Sequence, residues 1–440
     1  MTVIELGEVS SGNPQPPAAE RPWRLGHLRW VAMAAVLVVC ALTVTGSAVP
    51  AEPRGLRTLW SVPSASQPFQ LQGDALYLFR AGESPAVERY DAATGRLRWT
   101  HQTERPIDWA YTWVPGLVIV PVPVEQPDGT SVSQDFVALD AETGRTLWQR
   151  RGDPNFGDRS TLLLTESDPA GAVAKVVMVR PSDGTELWSF TPSERVAGWT
   201  TMYGADQNRP QWFATVTDAG KVELRRTSDG SLMRTGKVPW ATVEPGAGNN
   251  GDGAYLYSFG DVLASVLQKD GALAMNAFDV RTMRQIWTWT GRGEGGAFNC
   301  GKLICFTGQP GVEAIDPVTG DVVWRSASWD WARPFDATRM LYESQGQGNQ
   351  GLLDAATGRF VTMFPRGMVA EDVPNADLVV LAFTETVPAQ MAVYRLRGNR
   401  LELRGGMGGS TDQGCQYANS RLVCMMGLGT ERALVVKAVG

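Results

Sequence analysis

Seven times the chain returns to one short pattern: an aliphatic run, a turn of the Asp-x-x-Thr-Gly kind, and a second run that often carries a tryptophan. The fullest copies read Tyr90-Asp-Ala-Ala-Thr-Gly-Arg-Leu-Arg-Trp99, Leu139-Asp-Ala-Glu-Thr-Gly-Arg-Thr-Leu-Trp148 and Ile315-Asp-Pro-Val-Thr-Gly-Asp-Val-Val-Trp324. Weaker copies run from Arg180 to Trp188, Arg226 to Arg234, Asp279 to Trp287 and Asp354 to Thr362, and an eighth, Arg395 to Leu403, keeps two strands and little else. The marks of the repeat are Asp91, Gly95 and Trp99; Asp140, Gly144 and Trp148; Gly184 and Trp188; Asp279 and Trp287; Asp316, Gly320 and Trp324; and Asp354 with Gly358.

Successive copies start roughly 37 to 53 residues apart, a period that belongs to propellers, solenoids and arrays. Within a copy the physics is local. Asp at the turn start bonds its own backbone, and Gly supplies the positive φ of a short hairpin with a bulge. The flanking runs alternate or are β-branched, as strands are.

These residues resemble the repeat of the pyrroloquinoline quinone-type β-propellers, whose consensus is close to Ala-x-Asp-x-x-Thr-Gly-x-x-x-Trp. The resemblance covers essentially residues 56–440. It implies an all-β fold of four-stranded blades, with the turn between the third and fourth strands and the Trp packed between neighbouring blades. That scaffold serves quinone enzymes, assembly factors and sensor domains, so the resemblance speaks to fold before function.

The ends of this region suggest how a ring closes. Leu56-Arg-Thr-Leu-Trp60-Ser-Val is a fourth strand with no third before it, while Gln413 to Tyr417, Arg421 to Met425 and Arg432 to Val439 are three strands lacking a fourth. Pairing the two ends in one blade removes the free edges. A strict count gives nine blades. Eight is usual in the resembled family, so eight is the expectation, with seven and nine open, and with the unit around Arg226 or the one ending at Leu403 as the over-read copy. Glu125 to Gln134 and Glu244 to Asp252 read as long surface loops, where a binding face would differ from its relatives.

Ahead of the propeller, residues 1–29 form a polar, proline-bearing tail that ends in Arg21, Arg24, His27 and Arg29. Residues 30–49, Trp30 to Val49, carry no charge and are long enough to span about 30 Å of hydrocarbon as a helix. With the arginines before it, the positive-inside rule places the tail in the cytoplasm and the propeller outside, as a single-pass plasma-membrane protein with 50–55 as linker. A cleavable signal peptide ending near Gly46-Ser-Ala48 is the rival reading. The excess of arginine, only six of 40 basic residues being Lys, points to a high-GC genome such as an actinobacterial one.

Four cysteines form two close pairs, Cys300 with Cys305 and Cys415 with Cys424. An Asn419-Ser420 turn sets Cys415 opposite Cys424 across a hairpin, and both pairs are expected to be disulfides within first-to-second-strand hairpins. A four-thiolate metal site would need two blades that have no reason to touch.

Chemistry finds little support. Of two histidines, His27 lies in the tail and His101 follows a strand, with no nucleophile elbow near it. No phosphate-cradling Gly-x-x-x-x-Gly-Lys motif occurs, and the net charge of -6 gives no nucleic-acid surface. Quinone enzymes of the resembled family carry an adjacent Cys-Cys and a calcium site, and no Cys-Cys occurs here. Asp252 and Asp270 in Gly-rich stretches could bind calcium, but Asp-Gly is first a turn dipeptide. The expectation is therefore a non-catalytic binding scaffold without pyrroloquinoline quinone, calcium or another cofactor, bound to an envelope protein or small ligand. A quinoprotein oxidoreductase or a small-ligand sensor using the central channel is the alternative. Candidate contact residues are Trp109 and Trp113 in Trp-Ala-Tyr-Thr-Trp, and Trp329 and Trp331 in Ser-Trp-Asp-Trp-Ala. Their spacing sets alternate aromatics on one strand face, for which burial between blades is the competing account.

Overall fold

Every Asp-x-x-Thr-Gly turn joins the third and fourth strands of an antiparallel sheet, and the sequence builds it in the same way each time. Asp91 Oδ1 accepts from the backbone N–H of Ala93 (3.1 Å) and Thr94 (3.0 Å) and from Thr94 Oγ1 (2.9 Å). Gly95, at φ 72°, returns an N–H to the Asp91 carbonyl at 2.8 Å. In the copies that begin with arginine the carboxylate moves along the turn: Asp183 pairs with Arg180 and Asp229 with Arg226. In the eighth copy the two-residue turn Gly398-Asn399 keeps register from Arg397↔Arg400 to Tyr394↔Leu403; after each of the other seven turns the third and fourth strands slip register at once, between Arg89/Tyr90, Ala138/Leu139, Met178/Val179, Leu224/Arg225, Ala277/Phe278, Ala314/Ile315 and Leu352/Leu353. This is the bulge that a loop of that length demands.

The computed structural model describes residues 55–440 apart from 64–67, 126–130, 169–171, 204–209, 242–252, 293–295, 309–310, 327–330, 344–349, 373–376, 384–389, 409–413 and 428–431. Residues 1–54, and with them the expected tail and membrane helix, lie outside the described residues. No helix among the described residues is long and apolar enough to cross a membrane.

Eight sheets follow one another along the chain, and one of them, eight-stranded, divides into two four-stranded blades, so that the blades number nine. Blades 1 to 8 cover residues 69–102, 117–151, 153–190, 196–237, 253–292, 297–326, 331–364 and 367–408. Blade 9 joins Cys415–Ala418, Arg421–Met426 and Ala433–Val439 to Leu56–Pro63, which pairs antiparallel with the last strand from Leu56↔Val439 to Pro63↔Ala433. Blades 3 and 4 share one further pairing, Val173↔Val196. The count is thus nine, where eight was the expectation. Both suspect units are complete: blade 4 surrounds the Arg226 turn and blade 8 ends through Leu403.

The core is divided among the junctions. Nine apolar clusters bridge blades 1–2, 2–3, 3–4, 4–5, 5–6, 6–7, 7–8, 8–9 and 9–1, so the succession closes on itself. First strands of several neighbouring sheets touch, Phe69–Gln72 with Cys415–Ala418 among them, which places the first strands on the inner side of the ring. All-β content in closed, successive four-stranded sheets is the propeller architecture.

The repeat's tryptophan is the junction fastener. The indole N–H of Trp60, Trp99, Trp148, Trp188, Trp287 and Trp324 donates to the carbonyl of Ala92, Ala141, Pro181, Thr227, Pro317 and Ala355 at 2.7–3.1 Å. Each acceptor directly follows the first turn residue of the next blade. The ring lies on the turn glycine: a Cβ on Gly144 would stand 2.6 Å from the Trp99 ring. That glycine therefore answers to two demands, positive φ and close approach.

Three junctions depart from this scheme. At blades 7–8, Thr362 holds the Trp position and its hydroxyl donates to the Asn399 carbonyl at 2.6 Å. At blades 8–9 the third and fourth strands of blade 9 are the two ends of the ring, so no turn is offered and Leu403 stands exposed. There buried Arg395 donates to Asp377 (2.6 Å) and to the Val439 carbonyl (3.3 Å), and Tyr417 donates to Asp377 (2.8 Å). The third exception, at blades 4–5, carries Arg234 in the Trp position.

The closing blade is laced to both neighbours. Gln416 accepts from the Leu71 N–H (2.6 Å) and donates to the Phe69 carbonyl (2.8 Å), so a side-chain amide copies strand pairing across the 9–1 junction. The Asn419 N–H donates to Asp372 of blade 8, and Arg421 pairs with Asp74 of blade 1. The two expected disulfides are present. Cys415 lies opposite Cys424, with Asn419 and Ser420 at φ 46° and 58° in the turn. Cys300 pairs in register with Leu303 and Cys305 with Phe298, so the Cys300–Cys305 bridge runs diagonally. Both sit in first-to-second-strand hairpins.

Candidate functional site

The repeat is broken most plainly in blade 2, which has three regular strands where other blades have four. The first-strand position is taken by the linker from blade 1, Thr103 to Val114, which makes a single antiparallel bridge, Tyr111↔Ile119, with both hydrogen bonds at 2.9 Å. Sequence dictates the alternation. Ile107 and Ala110 enter the blade 1–2 cluster and Val114 the blade 2–3 cluster, while Thr112 is buried and accepts from Gln70 Nε2 at 2.9 Å.

Between 109 and 113 the two tryptophans therefore face out, while Tyr111 between them is half-buried against the blade 2–3 cluster. Trp109 is 44% exposed and Trp113 40%, and both meet the Tyr111 ring edge-on, at centroid distances of 4.7 and 6.1 Å. Burial between blades is the wrong account of Trp109 and Trp113. A strand pattern gives two faces, and here the small residues Ala110 and Thr112 take the inner one. Burial, and then the Asp153 carboxylate, raise the Tyr111 phenol above its ordinary range, so it stays protonated and able to donate. Three amphipathic rings in edge-on array, one end apolar and the other polar, suit a contact surface. The other expected contact pair is not brought in: Trp329 lies outside the described residues, and Trp331 opens the strand Trp331–Pro334 with no described side chain.

The same linker roofs a cavity of about 260 Å³ at the blade 1–2 junction, bounded by His101, Glu104, Ile107, Val122, Val137 and Gln149. His101 lies within the strand Leu97–Gln102, opposite Val87, instead of after it. Being two residues from buried Trp99, it shares the face toward blade 2, a signal the sequence carried. Burial lowers its pKa, opposed by a hydrogen bond with the Gly144 backbone, so the imidazole is neutral at neutral pH.

The remaining expected sites resolve into structure. Asp270, at φ 51°, and Gly271, at φ 70°, form the hairpin turn between Val262–Lys269 and Ala272–Asp279. Asp252 lies outside the described residues. Glu125 to Gln134, read as a loop, is in part strand: Leu117–Glu125 and Ser131–Asp140 pair out to Glu125↔Ser131. Glu244 to Asp252 lies outside the described residues. No group of three His, Cys, Asp or Glu side chains converges among the described residues, and both disulfides join hairpin strands instead of adjacent cysteines. Neither bridge is the adjacent Cys-Cys that the resembled quinone enzymes carry.

Residues 45–202 match the family model described as outer membrane protein assembly factor BamB, a PQQ-like repeat family. Over those residues the repeat matches a PQQ-like repeat. No match among characterised protein sequences reaches significance. Among solved structures the chain is similar to a eukaryotic initiation factor at 12% identity, covering 78% of this chain and 90% of that one, with a TM-score of 0.50. That likeness concerns fold alone. BamB from Moraxella catarrhalis aligns at 13% identity over 87% of this chain and 99% of its own, TM-score 0.38. A quinohemoprotein alcohol dehydrogenase from Pseudomonas putida aligns at 11% over 89% and 78%, TM-score 0.40.

Proposed function

We propose that this protein is a non-catalytic binding scaffold of the cell envelope: a PQQ-like propeller tethered to the plasma membrane by residues 30–49, facing outward, and engaging a partner protein through Trp109, Tyr111 and Trp113. The observation that carries the reading is the exposure of both tryptophans at the one blade whose first strand the linker replaces. A family model described as an assembly factor supports it, and two hairpin disulfides fit an oxidising compartment.

The test is site-specific photocrosslinking in host membranes, with a benzophenone amino acid at position 113 of the full chain. A single dominant protein adduct is expected. Combined Trp109→Ala and Trp113→Ala should weaken capture of that partner by roughly thirtyfold or more, since centrally placed aromatics cost about 2 kcal/mol or more on truncation. Unchanged capture would sink the reading. So would a bound, absorbing quinone with dye-reducing activity after reconstitution with quinone and calcium.

A further inference from the structure

Three arginines of this protein lie over aromatic rings, and each also holds a carboxylate. Arg225 stands 3.6 Å from the centre of the Phe190 ring and donates to Glu223 at 2.8 Å. Arg339 stands 5.1 Å from Phe335 and pairs with Asp336 at 2.7 Å, and Arg395 stands 6.0 Å from Tyr417 and pairs with Asp377 at 2.6 Å. A guanidinium suits both partners at once. Its flat face meets the negative face of a ring while its N–H groups reach sideways to the carboxylate.

The linker of blade 2 brings rings and a carboxylate together, and no cation of the described residues lies over Trp109, Tyr111 or Trp113. The planes of the two exposed indoles stand 85° and 80° from that of Tyr111. A stacked pair hides one face of each ring, whereas an edge-on pair hides one face of the two, so indole faces are left for another group. Asp153, which opens blade 3, supplies the charge. It is close enough to raise the Tyr111 phenol, and its carboxylate accepts no hydrogen bond and meets no cation among the described residues. The residue is reached by solvent, yet the protein around its carboxyl raises the pKa with no counter-charge opposing the rise. A carboxylate partly stripped of water gains from a counter-ion that can donate to it. Glu104 and Asp108, exposed and without an ion pair among the described residues, add negative charge to the same linker.

We propose that Trp109, Tyr111, Trp113 and Asp153 receive an arginine side chain of the partner polypeptide, its guanidinium lying on an indole face and donating to the Asp153 carboxylate. The inference rests on the scaffold reading and gives the chemistry of the partner. A trimethylammonium head group would bring charge to the rings but no N–H to the carboxylate, so a choline lipid is not the occupant this site fits.

Saturation-transfer NMR titration of the detergent-solubilised full chain tests it, with acetyl-arginine-amide as probe. Binding is expected, and acetyl-citrulline-amide, of the same shape without the charge, should bind roughly tenfold more weakly or worse. Asp153→Asn, which keeps the side chain's shape, should weaken the arginine probe roughly tenfold, the value of a hydrogen bond to a charged group. Trp109→Ala with Trp113→Ala should weaken it roughly threefold to tenfold, as loss of exposed cation–π contacts does. The proposal is overturned if the arginine probe does not bind, if the citrulline or lysine analogue or choline binds as tightly, or if either variant binds the probe unchanged. Photocrosslinking from position 113 separates this inference from the reading beneath it. A dominant protein adduct together with a failed arginine probe removes the arginine alone, whereas loss of both removes the scaffold reading as well.

Discussion

Gly116 and Gly144 separate the two jobs a glycine can do in this ring. Both lie at positive φ, 86° and 69°, but a Cβ on Gly116 would meet nothing within 4 Å, whereas one on Gly144 would enter the Trp99 ring at 2.6 Å. Gly116→Ala should therefore cost about 1 kcal/mol, the strain of a left-handed residue. Gly144→Ala adds overpacking of about 1–3 kcal/mol and should cost about 2–4 kcal/mol in urea denaturation. Equal losses would mean that Trp99 gives way freely. The same distinction explains what the sequence conveyed at this scale. Asp91, Gly95 and Trp99 were legible as turn and packing residues because their chemistry is local or recurs. Arg234 and Met283, which take the Trp and turn-glycine positions of one junction and break the rule together, carry no local mark of how their junction packs.

The strand and hairpin scale was the most legible. Cys415 and Cys424 fall opposite each other because Asn419-Ser420 fixes the register, and a two-residue turn leaves no other choice. Replacing both by Ser should cost about 2–3 kcal/mol for a closed loop of this size, read by denaturation against the oxidised parent; no change would show that Gln416 and Asn419 alone hold the hairpin. The preference for eight blades over nine failed for a definite reason. Gly and Trp report how blades dock, not whether a blade exists, so the units around Arg226 and Leu403, which lack the Trp, still keep strands, bulge and core. The alternation of Trp109 to Trp113 was visible too, but which face turns inward depends on Gln70 and Ile119, distant in sequence.

At the scale of the whole ring, stability depends on one seam. Removing Leu56–Pro63 strips blade 9 of its fourth strand and blade 1 of Trp60, and leaves Ala433–Val439 as an open edge. A chain starting at Gly55 should melt with the full-length protein, while one starting at Pro68 should melt at least ten degrees lower and associate through that edge, about the loss of several kcal/mol. Equal melting by circular dichroism would show that eight blades suffice. The seam also sets an order in time. Thr58 and Lys437, hydrogen-bonded in the finished blade, are 379 residues apart in sequence. At synthesis rates of about 5–20 residues per second, the first strand made waits roughly 20 to 75 s for its partner. During that interval Trp60 has a turn to dock on and no third strand beside it, so the nascent chain must keep an apolar edge in check until the last residues emerge.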